Sequence, residues 1–153
     1  PRSNAALVRQ KLLADEAAAA RFVGLSRSVA RVEDAARLAA RDLAALPWPL
    51  DVAILGMGMD GHTASFFPYA DNLGRLLDPG NTALIEPTHA ESAGEPRLTL
   101  PLARLVEAKF LALHIEGTEK RAVLDAALAP GSALPVGAVF ARATSPVPVY
   151  WTG

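Results

Sequence analysis

An aspartate and a histidine two residues apart, set among three glycines, form the centre of the segment Gly56-Met57-Gly58-Met59-Asp60-Gly61-His62-Thr63. An imidazole ordinarily titrates near pH 6.5, so His62 can take or give a proton at neutral pH. A carboxylate at Asp60 can orient that ring or hold a substrate hydroxyl. Glycines let a ligand approach the backbone closely. The chemistry open to this set is that of a general base next to an anion or a developing oxyanion. The purely structural alternative is a tight turn in which both side chains satisfy backbone groups only.

The elements around the loop bear on that choice. Residues 50–55 are short, apolar and closed by glycine, the pattern of a strand buried on both faces of a parallel sheet. The loop would then sit at the carboxyl end of a strand, where open α/β sheets bind their ligands. Gly56, Gly58 and Gly61 also satisfy G-x-G-x-x-G, so a nucleotide reading must be weighed. Against it, Pro68 falls seven residues after Gly61, too soon for the long helix of a dinucleotide fold, and such a turn has no use for Asp60 and His62. A helix starting near Thr63 is expected to present free N–H groups beside the imidazole.

Further out, Ser3 and Asn4 are expected to cap a helix that runs to Gly24. Val29, Val32, Ala36, Ala40 and Leu43 recur at helical spacing and predict a second helix, ending before Pro47-Trp48-Pro49. Downstream the pattern predicts a helical segment over 72–77, a strand over 83–86, a polar loop over 90–96 and an extended segment over 97–100. A short helix over 102–108 has Pro101 at its start. Residues 110–115 read as a buried strand, 118–128 as a helix capped by Thr118, and 136–140 and 147–151 as one or two strands. Strands alternating with helices predict a single α/β domain over 1–153, a three-layer αβα sandwich with a mostly parallel, Rossmann-like open sheet.

Composition narrows the function classes. Of 153 residues, 51% are apolar and 20% charged, which excludes a disordered tail, and 15 basic against 16 acidic side chains argue against a nucleic-acid partner. No apolar run is long enough for a membrane span. With no cysteine, disulfides, thiolate zinc sites and cysteine nucleophiles are excluded together, which is compatible with a reducing cytoplasm. Three histidines without H-x-H or H-x-x-x-H spacing make a metal site unexpected. His114 reads as a structural residue near a strand end, and His89 as a solvated loop residue. The opening PRSNAALVRQ lacks the pattern of a signal peptide and starts at proline, so further chain is expected before it.

At this point the residues carry a resemblance. Gly56-Met-Gly-Met-Asp-Gly-His-Thr-Ala-Ser-Phe-Phe-Pro68 resembles the G-x-G-x-D-G-H-T-A-S-L-F-P signature of 6-phosphogluconolactonases, with Phe66 in place of the usual leucine. Ser3-Asn4 is similar to a pair that opens a helix in that family, and Pro96-Arg97-Leu98-Thr99-Leu100 resembles its P-x-R-I-T-L segment. Ile115-Glu116-Gly117-Thr118-Glu119-Lys120 resembles its V-x-G-x-x-K turn, and Pro135 and the Val149-Tyr150-Trp151 ending fit as well. Members of the family carry a further N-terminal segment, so the resemblance implies the C-terminal two-thirds of such an enzyme. It implies hydrolysis of 6-phospho-D-glucono-1,5-lactone to 6-phosphogluconate in the cytoplasm, with no cofactor, metal, nucleic acid or membrane. His62 would be the base, Asp60 the group that orients the imidazole or a sugar hydroxyl, Gly58 and Gly61 the oxyanion loop, Arg97 and Lys120 the phosphate ligands and Asn4 a substrate contact. Two rivals are a sugar-phosphate sensor without turnover and a glucosamine-6-phosphate deaminase. The deaminase loop carries an acid a few residues after the histidine, and 63–68 has none. A nicotinamide-binding module stands third.

Overall fold

The structure is a computed structural model that describes residues 4–153. In chain order it runs α1 (Asn4–Lys11), α2 (Val32–Ala44), β1 (Val52–Leu55), α3 (Leu73–Leu76), β2 (Glu86–Thr88) and β3 (Arg97–Thr99). It continues with α4 (Leu102–Val106), β4 (Phe110–Glu116), α5 (Thr118–Leu128), α6 (Pro135–Arg142) and β5 (Val149–Thr152). β1, β4 and β5 form a three-stranded parallel sheet in that order, with Val52 opposite Phe110, Leu55 opposite Leu113 and Ile115 opposite Trp151. β2 and β3 pair antiparallel as a separate ribbon, Glu86 opposite Thr99.

Alternation along each strand sorts the side chains between faces. Ala53 and Leu55 of β1 and Leu111, Leu113 and Ile115 of β4 turn to one side. They pack there with Leu102 and Leu105 of α4, Leu124 and Ala127 of α5, and Val136 and Val139 of α6. Each leucine, valine and isoleucine among them contributes about 1.5–3 kcal/mol on burial. α2 seats Ala36, Ala39 and Leu43 on the ribbon side, around Ile85 and Trp48.

The expected double-sided burial of the first strand is seen on one face only. Val52 and Ile54 are 56% and 59% exposed, and Phe110 and Tyr150 on the same side are 40% and 55% exposed.

Other boundaries also differ from the sequence reading. α1 stops at Lys11 rather than Gly24: it buries no side chain, and packing is what sustains most helices. The N–H groups of Leu12 and Leu13 both go to the Val8 carbonyl, and Asp15 then takes a positive φ of 51°. The Ser3 cap lies outside the described residues. The strand expected over 83–86 forms at Glu86–Thr88.

Residues 136–140, expected as a strand, belong to α6. Pro135 starts that helix, Val136 and Val139 bury one face, and a Cβ on Gly137 would stand 2.6 Å from the Ala127 carbonyl oxygen, so glycine permits the close crossing with α5. α5 has Gly117, at φ +87°, as its N-cap residue, and Thr118 is the first helical residue rather than the cap.

Candidate active site

The loop after β1 closes on itself through its own backbone. Gly58 N–H donates to the His62 carbonyl at 2.9 Å, Gly61 N–H to the Gly58 carbonyl at 3.1 Å, and the Thr63 hydroxyl to the Gly56 carbonyl at 2.7 Å. Gly61 sits at φ +75° with Leu134 atoms only 3.0–3.3 Å from where a Cβ would stand, so both its backbone and its space call for glycine. Two neighbours pin the loop from outside: Val136 N–H donates to the Gly61 carbonyl at 3.0 Å, and Ser65 N–H to Thr99 Oγ1 at 3.3 Å.

No helix follows at Thr63. Ala64 and Tyr69 hold positive φ values of 50° and 64°, Pro68 lies between them, and helical structure resumes only at α3. The N–H groups of Gly58 and Gly61 are spent inside the turn, so these glycines shape the loop instead of presenting donors to an oxyanion.

His62 and Asp60 meet at the loop's tip. Nδ1 of His62 lies 2.5 Å from Asp60 Oδ1, and the His62 backbone N–H donates to the same oxygen at 3.2 Å. Burial pushes the Asp60 carboxyl up, but the side-chain and backbone hydrogen bonds from His62, with its charge, together outweigh burial and hold it below its ordinary 3.8. An ionised carboxylate only accepts, which places the imidazole proton on Nδ1 and leaves the Nε2 lone pair for a base. Phe67 packs against the imidazole with centroids 4.4 Å apart, restricting the ring. The two side chains remain 30% and 40% exposed, within reach of water and substrate.

Beside this pair opens a cavity of about 600 Å³ over the carboxyl ends of β1 and β4, lined by Gly58, His62, Ala64, His114, Glu116 and Lys120 among others. Lys120, in the first turn of α5, is half-buried, and no ion pair or hydrogen bond engages its ammonium among the described residues. Among the expected site residues, the structure brings Gly58, Asp60, His62 and Lys120 together, with Gly61 buried behind the turn.

Arg97 and Asn4 do not line the cavity. Arg97 pairs with Glu95 at 3.2 Å and donates to the Ala93 carbonyl at 3.2 Å, while its Nε is buried without a partner. Asn4 is exposed at the start of α1. His114, expected as a structural residue near a strand end, and Glu116, for which the sequence suggested no role, are both exposed at the cavity. Their spacing of two on a strand that ends at the site was the available signal.

Comparison with known proteins places this geometry. The model of the family described as glucosamine-6-phosphate isomerases/6-phosphogluconolactonase matches residues 1–151. The chain is 58% identical over 151 residues to a 6-phosphogluconolactonase of Mesorhizobium japonicum, covering 99% of this chain and 63% of that protein. It is 49% identical to one of Pseudomonas aeruginosa, over 97% of this chain and 62% of the relative. The solved structure of a 6-phosphogluconolactonase from Shewanella baltica superimposes with a TM-score of 0.92 at 37% identity, covering 99% of this chain and 65% of that one. The chain therefore spans less than two thirds of the length of these relatives, and its sheet is of the same Rossmann-like αβα kind.

Proposed function

The chain belongs to the glucosamine-6-phosphate isomerase/6-phosphogluconolactonase family, and from that premise we propose that it hydrolyses 6-phospho-D-glucono-1,5-lactone to 6-phosphogluconate. The observation that carries the reading is the 2.5 Å contact of His62 Nδ1 with Asp60, beside a cavity that also holds an unengaged Lys120. Asp60 fixes the tautomer, and His62 Nε2 takes a proton from the attacking water as the C–O bond forms. As the tetrahedral intermediate collapses, the ring C–O bond breaks and the imidazolium returns that proton to the departing ring oxygen. Packing by Phe67 and the closed glycine turn hold the base in place, which lowers the cost of orientation.

A lactone is already an activated ester, so no cofactor enters this mechanism. Lys120 supplies a point charge for the phosphate, whereas Arg97 would join it only by exchanging Glu95 for the ligand. Asn4 takes no part in the proposal. Among the described residues no helix is long and apolar enough to cross a membrane, and the proposed setting is the cytoplasm as one α/β domain.

The reading is tested by timing the hydrolysis of freshly made 6-phosphogluconolactone against its spontaneous decay in the same buffer. The product is coupled to 6-phosphogluconate dehydrogenase. Acceleration that scales with protein concentration supports the proposal, and a rate equal to the blank refutes it.

A further inference from the structure

On β4 the side chains of His114 and Glu116 stand two residues apart, on the same face of the sheet, and both border the cavity that holds His62. The cavity floor on that side continues through Ile54, since Ile54 pairs with Ala112, two residues before His114. Neither the imidazole of His114 nor the carboxylate of Glu116 makes a hydrogen bond or ion pair among the described residues. This differs from the other two histidines: His62 is held by Asp60, and His89 lies 3.7 Å from Glu33. The backbone beneath is close as well, for a Cβ on Gly56 would stand 4.0 Å from the His114 carbonyl oxygen. His114 thus sits across the β1–β4 pairing from the start of the loop that carries the dyad.

An imidazole that can donate and accept, next to a carboxylate that accepts, matches the hydroxyls of a sugar ring and not a dianionic phosphate, which Glu116 would repel. Lys120, on the same cavity wall, is the cation suited to the phosphate. We propose that His114 and Glu116 form a hydroxyl-reading pair that holds the polyhydroxylated ring in the cavity, so that this edge of β4 selects sugar lactones over plain ones. The inference rests on the lactonase reading and adds to it residues for which no role was assigned. A site built to hydrogen-bond a substrate hydroxyl discriminates strongly against an analogue lacking it, because its polar groups are then left unpaired.

The test uses His114→Leu and His114→Gln, with 6-phosphogluconolactone and δ-valerolactone, a six-membered lactone without hydroxyls. Wild-type turnover is read first and reports on the lactonase reading by itself. For His114→Leu, KM for the sugar lactone is expected to rise roughly tenfold, the size of one lost hydrogen bond, with kcat changed far less. Turnover of δ-valerolactone is expected to suffer much less, and His114→Gln, which keeps a donor and an acceptor, to recover most of the KM. An unchanged KM, an equal loss on both lactones, or a Gln variant no better than Leu overturns the proposal. Should the wild type hydrolyse neither lactone, the lactonase reading fails, and the pair is read in calorimetric binding of 6-phosphogluconate. There, roughly tenfold weaker binding by His114→Leu supports the pair, and equal binding overturns it.

Discussion

Replacing Gly58 by alanine adds one methyl group at the point where the dyad is most crowded. A Cβ there would lie 2.3 Å from both Cε1 and Nδ1 of His62 and 2.7 Å from Asp60 Oδ1. Ordinary contact begins near 3.4 Å, so the imidazole has to retreat by about 1 Å (3.4 − 2.3 Å) and the carboxylate by somewhat less. Gly58 is not among the glycines at positive φ, so its backbone conformation suits alanine and the clash alone drives the change. Because His62 and Asp60 are 30% and 40% exposed, they can swing toward solvent. The fold should therefore lose only about 1 kcal/mol. Catalysis should lose far more: a misplacement of 1 Å typically costs about 100-fold, equivalent to about 2.7 kcal/mol in the barrier. The assay is kcat/KM for 6-phosphogluconolactone by the coupled method, with a urea melt on the same sample. A folded Gly58→Ala protein whose kcat/KM stays within about threefold of wild type would refute the placement of the dyad over that glycine.

Asp60 sets a pH dependence. Its folded-state pKa lies below 3.8, so its contribution to stability is fully present above the unfolded value and fades as pH falls through the lower folded one. Melting temperatures of wild type and Asp60→Asn should differ by a constant amount at neutral pH and converge below about pH 4; a gap that widens on acidification would contradict the sign. Lys120→Ala is expected to raise KM for the phosphorylated lactone and to affect unphosphorylated gluconolactone much less, and equal effects would remove its phosphate role. Away from the site, the Glu86 carboxylate is only 4% exposed and is held by the Arg75 guanidinium and by Asn81 at 3.2 Å. The Arg75 side chain is itself 66% exposed, so Arg75→Ala admits water to Glu86 and should cost about 1–2 kcal/mol in denaturant unfolding, whereas a loss below about 0.5 kcal/mol would show the pair to be idle.

The parts of this fold that were legible in the sequence are those where local pattern and tertiary packing agree. β4 and α5 carry a short apolar run and an amphipathic turn pattern that their neighbours bury, while β1 forms where its apolar run lies but is buried on one face only. α6 was misread because Val136, Val139 and Phe140 are as apolar as a strand. What decides for helix is Pro135 at its start and a glycine at the α5 crossing, and the crossing is a long-range fact. The expected α1 is too long because alanine-rich sequence favours helix throughout, whereas the helix that forms buries none of its side chains fully and stops at Lys11.

At the site, the types and spacing of Asp60 and His62 point to a strand's carboxyl end but leave Asp60 to hold the ring, a hydroxyl or the backbone; the fold decides, with His62 Nδ1 2.5 Å from Asp60 Oδ1. The use of the Gly58 and Gly61 N–H groups could not be read, since it depends on which carbonyls the turn brings back to them. Lys120 reaches the cavity because α5 starts where β4 ends, whereas Arg97 is claimed by Glu95 and the Ala93 carbonyl, neighbours two and four residues back in the loop that joins β2 to β3.

The most direct test of the account compares wild type, His62→Ala and His62→Gln in hydrolysis of fresh 6-phosphogluconolactone, each corrected for spontaneous decay. If the imidazole held by Asp60 is the base, both variants fold as wild type does and lose at least about 100-fold in kcat, the usual contribution of a positioned base. If either variant retains wild-type kcat, the His62–Asp60 pair is not the hydrolytic centre.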